Sequence, residues 1–335
     1  MDINSPHIDS KYILWFEEIN KGSISQAGGK GANLGEMVSQ NLPVPEGFVI
    51  STAGFDHFIM MNRLDSNIEE ALKNCDVDDD KSLNDTSKHI KEQIMKAEYP
   101  MSVKQEITRA YNELSYSRDI KIPEVLGIIS AGREMAIVAV RSSATAEDLA
   151  DASFAGQQAS FLNVKGVPYL LDAVKRCWAS LYEPRAIFYR AKKGFKHASI
   201  AVVVQRMVNS EKSGVTFTVH PSTGEDIVLH EACWGLGESL VLGRVNPDSY
   251  TVSKDGTIIE KKIGVKETMH IRDIGTESTV EVHVPADKRE AQVLSDIDIK
   301  RLTEYAVAIE KHYGKPQDIE WAVRARKCTY SRPGR

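Results

Sequence analysis

No cysteine in this sequence forms a C-x-x-C pair or stands at a spacing that suits a zinc ligand set. The four present, Cys75, Cys177, Cys233 and Cys328, read as unpaired thiols of a reducing compartment. Charge of one sign is not in excess either. The net charge is −5, so no global basic field draws the chain to nucleic acid, and a phosphate ligand has to be met by locally placed cations. No apolar run approaches a membrane span, and the opening MDINSPHIDSKYILWF lacks a basic stretch followed by an apolar one. The expectation is a cytoplasmic protein with neither membrane nor nucleic acid as a partner. There is no internal repeat and no low-complexity linker. What is present is 335 residues, 42% of them hydrophobic, enough for two domains or one large two-lobed domain.

The order of elements predicts a mixed α and β fold, helix-rich first and strand-rich later. Ala32 to Gln40 puts Leu34, Met37 and Val38 on one helical face, LPVPEG breaks that helix, and FVIST starts a strand. Thr52 is placed to cap a helix burying Phe55, Phe58 and Ile59. The stretch DVDDDKSLNDTS opens like a calcium loop but has Lys81 at its sixth position and Ser87 at its twelfth, so it reads as a solvated acidic turn. Tyr169 to Phe188 has helical spacing, Ser199 to Val208 is β-branched, and Asp255-Gly256 signals a hairpin. Asp298 is placed to cap a last helix that ends at Gly314.

Five stretches could carry chemistry. In AGGKGANLGEM, residues 27–37, glycines and Lys30 precede a helix, where backbone N–H groups and a cation can approach phosphate. Gly31 after the lysine excludes a Walker A loop, and the spacing excludes a dinucleotide fingerprint. A glycine turn with an exposed lysine stays open. In VAVRSSATAEDLADASFAGQQ, residues 138–158, an apolar strand delivers Arg141, a forked cation suited to phosphate, into a run of small residues that let amides close over a polyanion. An arginine paired with Glu147 or Asp148 is the alternative. QRMV, residues 205–208, ends a strand whose backbone could meet a flat heterocycle, though by itself it reads more readily as ordinary strand. HEACWGLGESLVLGRVNPDSY follows with Glu231 and Glu238 as carboxylates. In QDIEWAV, residues 317–323, period two puts Asp318 and Glu320 on one strand face and Ile319 and Trp321 on the other. Two such carboxylates suit Mg²⁺ beside phosphate, or a solvated edge.

Taken together, AGGKGANLGEM, VPEGF, VRSSATAEDLADASFAGQQ, RAIFYR, QRMV, SGVTFT, WGLGE, VNPDSY and HYGKPQDIEWA resemble, in order and spacing, the nucleotide-binding part of the phosphoenolpyruvate synthase (pyruvate, water dikinase) family. The resemblance runs from about Tyr12 to Val323. It implies an α/β, ATP-grasp-like fold with two lobes, residues 1–198 and 199–323, holding ATP and Mg²⁺. It implies that Lys30 and Arg141 contact phosphates under a loop through Gly156 to Ser160. Gln205 and the Met207-Val208 backbone would lie at the adenine, Glu231 near the nucleoside, and Glu320 with Asp318 on the metal, while Arg332 matches the last phosphate arginine. The family converts ATP, pyruvate and water to phosphoenolpyruvate, AMP and phosphate through a histidine on a separate swivelling domain.

The sequence departs from that pattern in two ways. None of its nine histidines stands in the Thr-x-Gly-Gly-x-x-x-His context of the carrier, so pyruvate is expected as a partner only through domains not in this chain, and a homodimer only of the full-length enzyme. A rifampicin-type phosphotransferase and a non-catalytic nucleotide-binding fragment are the alternatives; the phosphate-using dikinase fits less well, because its loop after the arginine differs. The second departure is the tail, residues 324–335, where Tyr330 stands in the place of the family's glutamine. Written with permitted codons and read from the third base of Lys327, KCTYSRPGR becomes Val-Tyr-Ile-Leu-Gln-Ala-Arg-Pro, an apolar strand with the family's ending. A frame-shifted tail that packs poorly is therefore expected.

Overall fold

The computed structural model describes residues 11–116, 135–145, 159–194, 198–241, 243, 245–273, 278–324 and 327–333, the last stretch as backbone alone. The chain folds as two units. One takes the sequence up to Glu36 and Glu46–Met207; the other takes Met37–Pro45 and the chain from Val208. The boundary expected after Ala198 thus falls after Met207, because the β-branched run from Ile200 pairs inside the first sheet.

The first unit contains β1 (Ile13–Trp15), most of α1 (Ile24–Ser39, whose last residues from Met37 belong to the second unit), β2 (Gly47–Ile50), α2 (Thr52–Met61), α3 (Leu64–Lys73), α4 (Asp80–Lys96), α5 (Met101–Ser115), β3 (Ile137–Ala144), β4 (Ser160–Lys165), α6 (Val167–Ala179), α7 (Pro184–Lys193) and β5 (Ile200–Arg206). Its antiparallel sheet has the order β1-β2-β5-β3-β4. Side chains alternate across the pleat, so Phe48, Ile50, Val138, Val140, Val202 and Val204 share one face. They are buried there with Phe55, Phe58, Ile90, Ile107 and Trp178 of the helical layer. The opposite face carries the odd-numbered set, including Val49, Arg141, Val203 and Gln205.

Local chemistry sets the helix ends. Asp79 caps α4 by accepting the Ser82 N–H at 2.9 Å, so the acidic turn serves as a helix start. The helical run expected over Tyr169–Phe188 is two helices, because Pro184 opens a new one at a position that needs no N–H. Thr52 begins α2 rather than capping it; Ser51 is the residue in front, and the Thr52 hydroxyl donates to the Ser25 carbonyl at 3.0 Å.

The second unit contains β6 (Lys212–Phe217), β7 (Val228–Trp234), β8 (Asp248–Val252), β9 (Ile258–Lys262), β10 (Thr268–Arg272), β11 (Thr279–His283), α8 (Asp296–Tyr313), β12 (Asp318–Arg324) and β13 (Lys327–Pro333). Six strands form an antiparallel sheet in the order β13-β12-β6-β7-β8-β9, and β10 and β11 pair separately. Helix α8 supplies Ile299, Leu302, Ala306 and Ile309 to a core with Val228, Tyr250, Ile319 and Trp321. Met37, Leu42 and Val44 pack into the same core. Ser295, not Asp298, caps α8. The two residues form a capping box in which the Ser295 hydroxyl takes the Asp298 N–H and the Asp298 carboxylate takes the Ser295 N–H, both at 3.2 Å. Gly314 ends the helix at φ 66°, and Gly256 turns the β8–β9 hairpin at φ 88°.

The tail does pair. β13 runs antiparallel to β12 with Arg332 opposite Glu320 and Tyr330 opposite Trp321, an irregularity lying between those pairs. The ladder is made by main-chain groups, so it forms without a period-two side-chain pattern.

Two buried polar networks stabilise the second unit. In the first, the Trp321 indole N–H donates to the Thr216 hydroxyl at 3.0 Å, and Thr216 shares a 2.6 Å bond with His230 Nδ1. The Thr303 hydroxyl donates to the Ile299 carbonyl, so His230 Nε2 must be the donor in its 2.8 Å bond with Thr303. In the neutral imidazole Nδ1 is then the acceptor of the Thr216 hydroxyl. Burial pushes the His230 pKa down from 6.5 to about 3. Between those values the unfolded chain binds a proton that the fold refuses, so stability is lost as pH falls below about 6.5. From about pH 7.5 to about pH 5.5, the wild type is expected to lose about 1.4 kcal/mol more than His230→Gln in denaturant unfolding. Equal losses would show that His230 does not set this slope.

In the second network, Asp248 is fully buried with Lys266, and the two are paired directly. Asp248 also accepts the Gly264 N–H at 3.0 Å, the Val293 N–H at 2.7 Å and the Tyr250 hydroxyl at 2.7 Å. Lys266 donates in addition to the Gly264 carbonyl at 2.7 Å. Burial pushes the Tyr250 phenol up, and the carboxylate that accepts its proton adds to the shift.

Candidate functional site

The glycine-lysine segment of the first unit lies within α1, which is two helical pieces joined at a kink. Gly28 makes the kink at φ 65° and ψ 173°. A Cβ there would stand 2.2 Å from the Ser143 carbonyl oxygen, so glycine is required both for its backbone angle and for the close approach to β3. The second piece therefore starts at Gly29 and Lys30, and its N-terminal amides lie at the end of β3. Its Gly31 N–H donates to the Ser143 hydroxyl at 3.1 Å, and that hydroxyl donates to the Ala27 carbonyl at 2.8 Å. Lys30 Nζ donates to the Ser142 carbonyl at 3.0 Å. The lysine is half-buried and anchored, which excludes the reading of a glycine turn with a fully exposed side chain.

Arg141 precedes those serines on β3 and is half-buried. It stands opposite Val203 on β5 and Ser160 on β4. Gln205 lies opposite Ala139 on one side and Gly47 on the other. Arg141 and Gln205 are thus diagonal neighbours on the face away from the main helical core. Gln205 is buried, as are its cross-strand neighbours Ala139 and Gly47. At the end of β5, the Met207 N–H donates to the Ile137 carbonyl at 2.9 Å. The Met207 sulfur accepts the Asn163 N–H at 3.0 Å. Gly156 and the loop residues Glu147 and Asp148 lie outside the described residues, whereas Ser160 is exposed at the start of β4.

In the second unit the carboxylates fall on the sheet face that α8 does not cover. Register places Glu320 opposite Val215, Val215 opposite Glu231, and Glu231 opposite Ser249. Glu320 and Glu231 therefore flank β6 in one row, at roughly twice the 4.8 Å strand spacing. Asp318 is two residues from Glu320 on the same strand, so it shares that face. Asp318, Glu320 and Glu231 are half-buried, while Ile319 and Trp321 point into the core. The Val208 carbonyl accepts the Ser210 N–H at 3.0 Å. Arg332 has a backbone position opposite Glu320. Glu238 accepts the Thr279 hydroxyl at 3.0 Å. No cluster of three or more His, Cys, Asp or Glu suited to a metal occurs among the described residues.

Sequence reasoning treated Ser142 and Ser143 only as small residues. Their role as the anchor of the Lys30 segment was not legible, because the partners lie 112 residues apart. His230, Asp248 and Lys266, by contrast, are used internally by the fold.

Residues 24–330 match the family model described as the AMP/ATP-binding domain of pyruvate phosphate dikinase. Among curated proteins, the chain is 48% identical over 316 residues to a probable phosphoenolpyruvate synthase of Methanothermobacter thermautotrophicus, covering 93% of this chain and 44% of that protein. It is 46% identical over 321 residues to a probable phosphoenolpyruvate synthase of Methanocaldococcus jannaschii, covering 95% and 26%. It is 42% identical over 354 residues to the phosphoenolpyruvate synthase of Pyrococcus furiosus, covering 93% and 42%. The chain thus spans less than half the length of each of these relatives. A crystal structure of a Pyrococcus horikoshii protein matches with 16% identity and a TM-score of 0.29 over 68% of this chain and 86% of that one, too slight a likeness to bear on the fold. With the family model spanning nearly the whole sequence, the chain belongs to the family of pyruvate phosphate dikinase AMP/ATP-binding domains.

Proposed function

We propose that this chain is the ATP-binding, phosphoryl-donating part of a phosphoenolpyruvate synthase, which converts ATP, pyruvate and water to phosphoenolpyruvate, AMP and phosphate. The observation that carries the reading is the anchoring of the Lys30 helix N-terminus to Ser142 and Ser143, the two β3 residues that follow Arg141. It joins amide donors and two cations in one small region, which is what a polyphosphate needs. The likeness to three synthases supports the choice of reaction.

In this reading Lys30 and Arg141 hold phosphate oxygens and neutralise their charge, with Gly156 to Ser160 closing over them and Arg332 as a further phosphate contact. The adenine lies by Gln205 and pairs with the Met207 carbonyl and the Val208 N–H, since the Met207 N–H and the Val208 carbonyl are already bonded. Glu231 meets the nucleoside. Magnesium fits the donor set: Asp318 and Glu320 are half-buried carboxylates on one strand face, and Mg²⁺ needs only one or two carboxylates when phosphates and water complete its shell. Asp318 and Glu320 would hold it, and it would supply positive charge to offset the negative charge of the phosphates. Catalysis by this part is then positioning and electrostatics. The fold is of the ATP-grasp type, the setting is the cytoplasm, and the tail is the product of a shifted reading frame, which sequencing of codons 327–335 tests.

Calorimetry of the purified chain with ATP and Mg²⁺ tests the binding. Saturable binding that Glu320→Gln weakens in Mg²⁺ is expected; no binding would sink the proposal. The 335-residue chain alone is expected to form no phosphoenolpyruvate from pyruvate, because no histidine in it stands in the carrier context. Product above background from purified chain would overturn that expectation.

A further inference from the structure

We infer that Ser143 is a positioning residue that holds Lys30 in place for the phosphates of ATP, by acting as the N-cap of a helix to which it is not adjacent in sequence. The inference rests on the reading of Lys30 as a phosphate ligand and goes beyond it, because it assigns a role to a side chain that itself touches no phosphate.

A helix start leaves its first N–H groups without partners inside the helix, and a side-chain oxygen just before the helix normally takes the N–H at the second or third position. After the Gly28 kink, the third position is Gly31. The residue that would cap it from within the chain is Gly28 itself, which has no side chain, and it must be glycine because of its φ and of the Ser143 carbonyl 2.2 Å from any Cβ. The cap comes instead from β3. The Ser143 hydroxyl takes the Gly31 N–H at 3.1 Å and gives its own proton to the Ala27 carbonyl at 2.8 Å. Its one donor and one of its acceptor sites are therefore used on the two sides of the kink. Ser143 is fully buried. Lys30, between the two clamped positions, is tied to the Ser142 carbonyl by its own ammonium. Loss of the hydroxyl frees the segment on both sides of Lys30 at once, while the Arg141 and Gln205 side chains stay as they are.

The test is a double-mutant cycle in the whole chain. ATP and AMP affinities of wild type, Ser143→Ala, Lys30→Ala and the double variant are measured by calorimetry in Mg²⁺, with melting curves alongside. Ser143→Ala is expected to weaken ATP about tenfold, the worth of one neutral hydrogen bond, and AMP less than about twofold. In the Lys30→Ala background the same change should have almost no further effect. Equal losses for ATP and AMP, or full additivity with Lys30→Ala, would reduce Ser143 to a structural residue and overturn the inference. If Lys30→Ala lowers ATP affinity while Ser143→Ala does not, the inference fails alone. If Lys30→Ala has no effect, the phosphate reading of Lys30 fails. Should Ser143→Ala not fold, Ser143→Cys, whose thiol is a much weaker hydrogen-bonding group, decides by the same ATP-to-AMP ratio.

Discussion

Asp248→Ala is expected to destabilise the second unit by about 3–5 kcal/mol, a large share of a typical domain's stability. The carboxylate is the common acceptor for Lys266, Tyr250 and the Gly264 and Val293 N–H groups. Its removal leaves a buried ammonium with only the Gly264 carbonyl as partner, together with two amide donors and a phenol that have lost theirs. Each uncompensated neutral donor costs about 1–3 kcal/mol and a charge costs more. Lys266→Met should be milder, because Asp248 keeps three neutral donors, and it should grow milder still when combined with Asp248→Asn, which removes the remaining charge. The ranking is the test. If differential scanning calorimetry finds Asp248→Ala no worse than Lys266→Met, the carboxylate does not organise this core.

The motif that supplies Asp248 and Tyr250, VNPDSY, was read from the sequence as part of a glycine-rich, carboxylate-bearing stretch with a chemical role. Alternation along the strand could not show that Asp248 points inward, since a charged residue on an inward register is an exception that only a partner makes tolerable. That partner, Lys266, lies in a stretch with no legible period. His230 was hidden for the same reason: two threonines from two other elements, Thr216 and Thr303, satisfy it. Where the deciding contact is local, the sequence was sufficient. The odd-even split of Asp318, Ile319, Glu320 and Trp321, the Gly314 helix end and the Asp255-Gly256 turn each follow from one strand, one helix or one hairpin. The break of one long helical pattern into α6 and α7 was also in view, at Pro184, but spacing of the apolar residues continued across it. The start of α8 was misplaced by three residues because Ser295 and Asp298 cap reciprocally, and either reads as the first residue when only one is considered. The lobe boundary went wrong because strand pairing is non-local. Nothing in Ile200 to Arg206 states that its neighbours are β2 and β3 rather than the strands that follow it.

The site reading meets its strongest test at Arg141. Strand β3 holds this residue between Val203 and Ser160, with Gln205 diagonal to it and the anchored Lys30 segment bonded to the next two residues. Its backbone is fixed by pairing on both sides, and its fork can give two parallel hydrogen bonds to phosphate oxygens. Arg141→Ala is expected to weaken Mg·ATP by about 1.5–3 kcal/mol, roughly ten- to 150-fold, and Arg141→Lys to recover part of the loss, since charge returns without the fork. The Arg141→Ala, Lys30→Ala double variant should lose more than either single variant. AMP, with one phosphate, should be affected less than ATP throughout. Arg141 is only half-buried and the hydrophobic core lies on the other face of β3, so melting temperature should change little. That separates a lost ligand from a lost fold. If calorimetry finds the double variant binding ATP as tightly as the wild type, both cations serve the fold alone, and the phosphate site has to be sought on other residues.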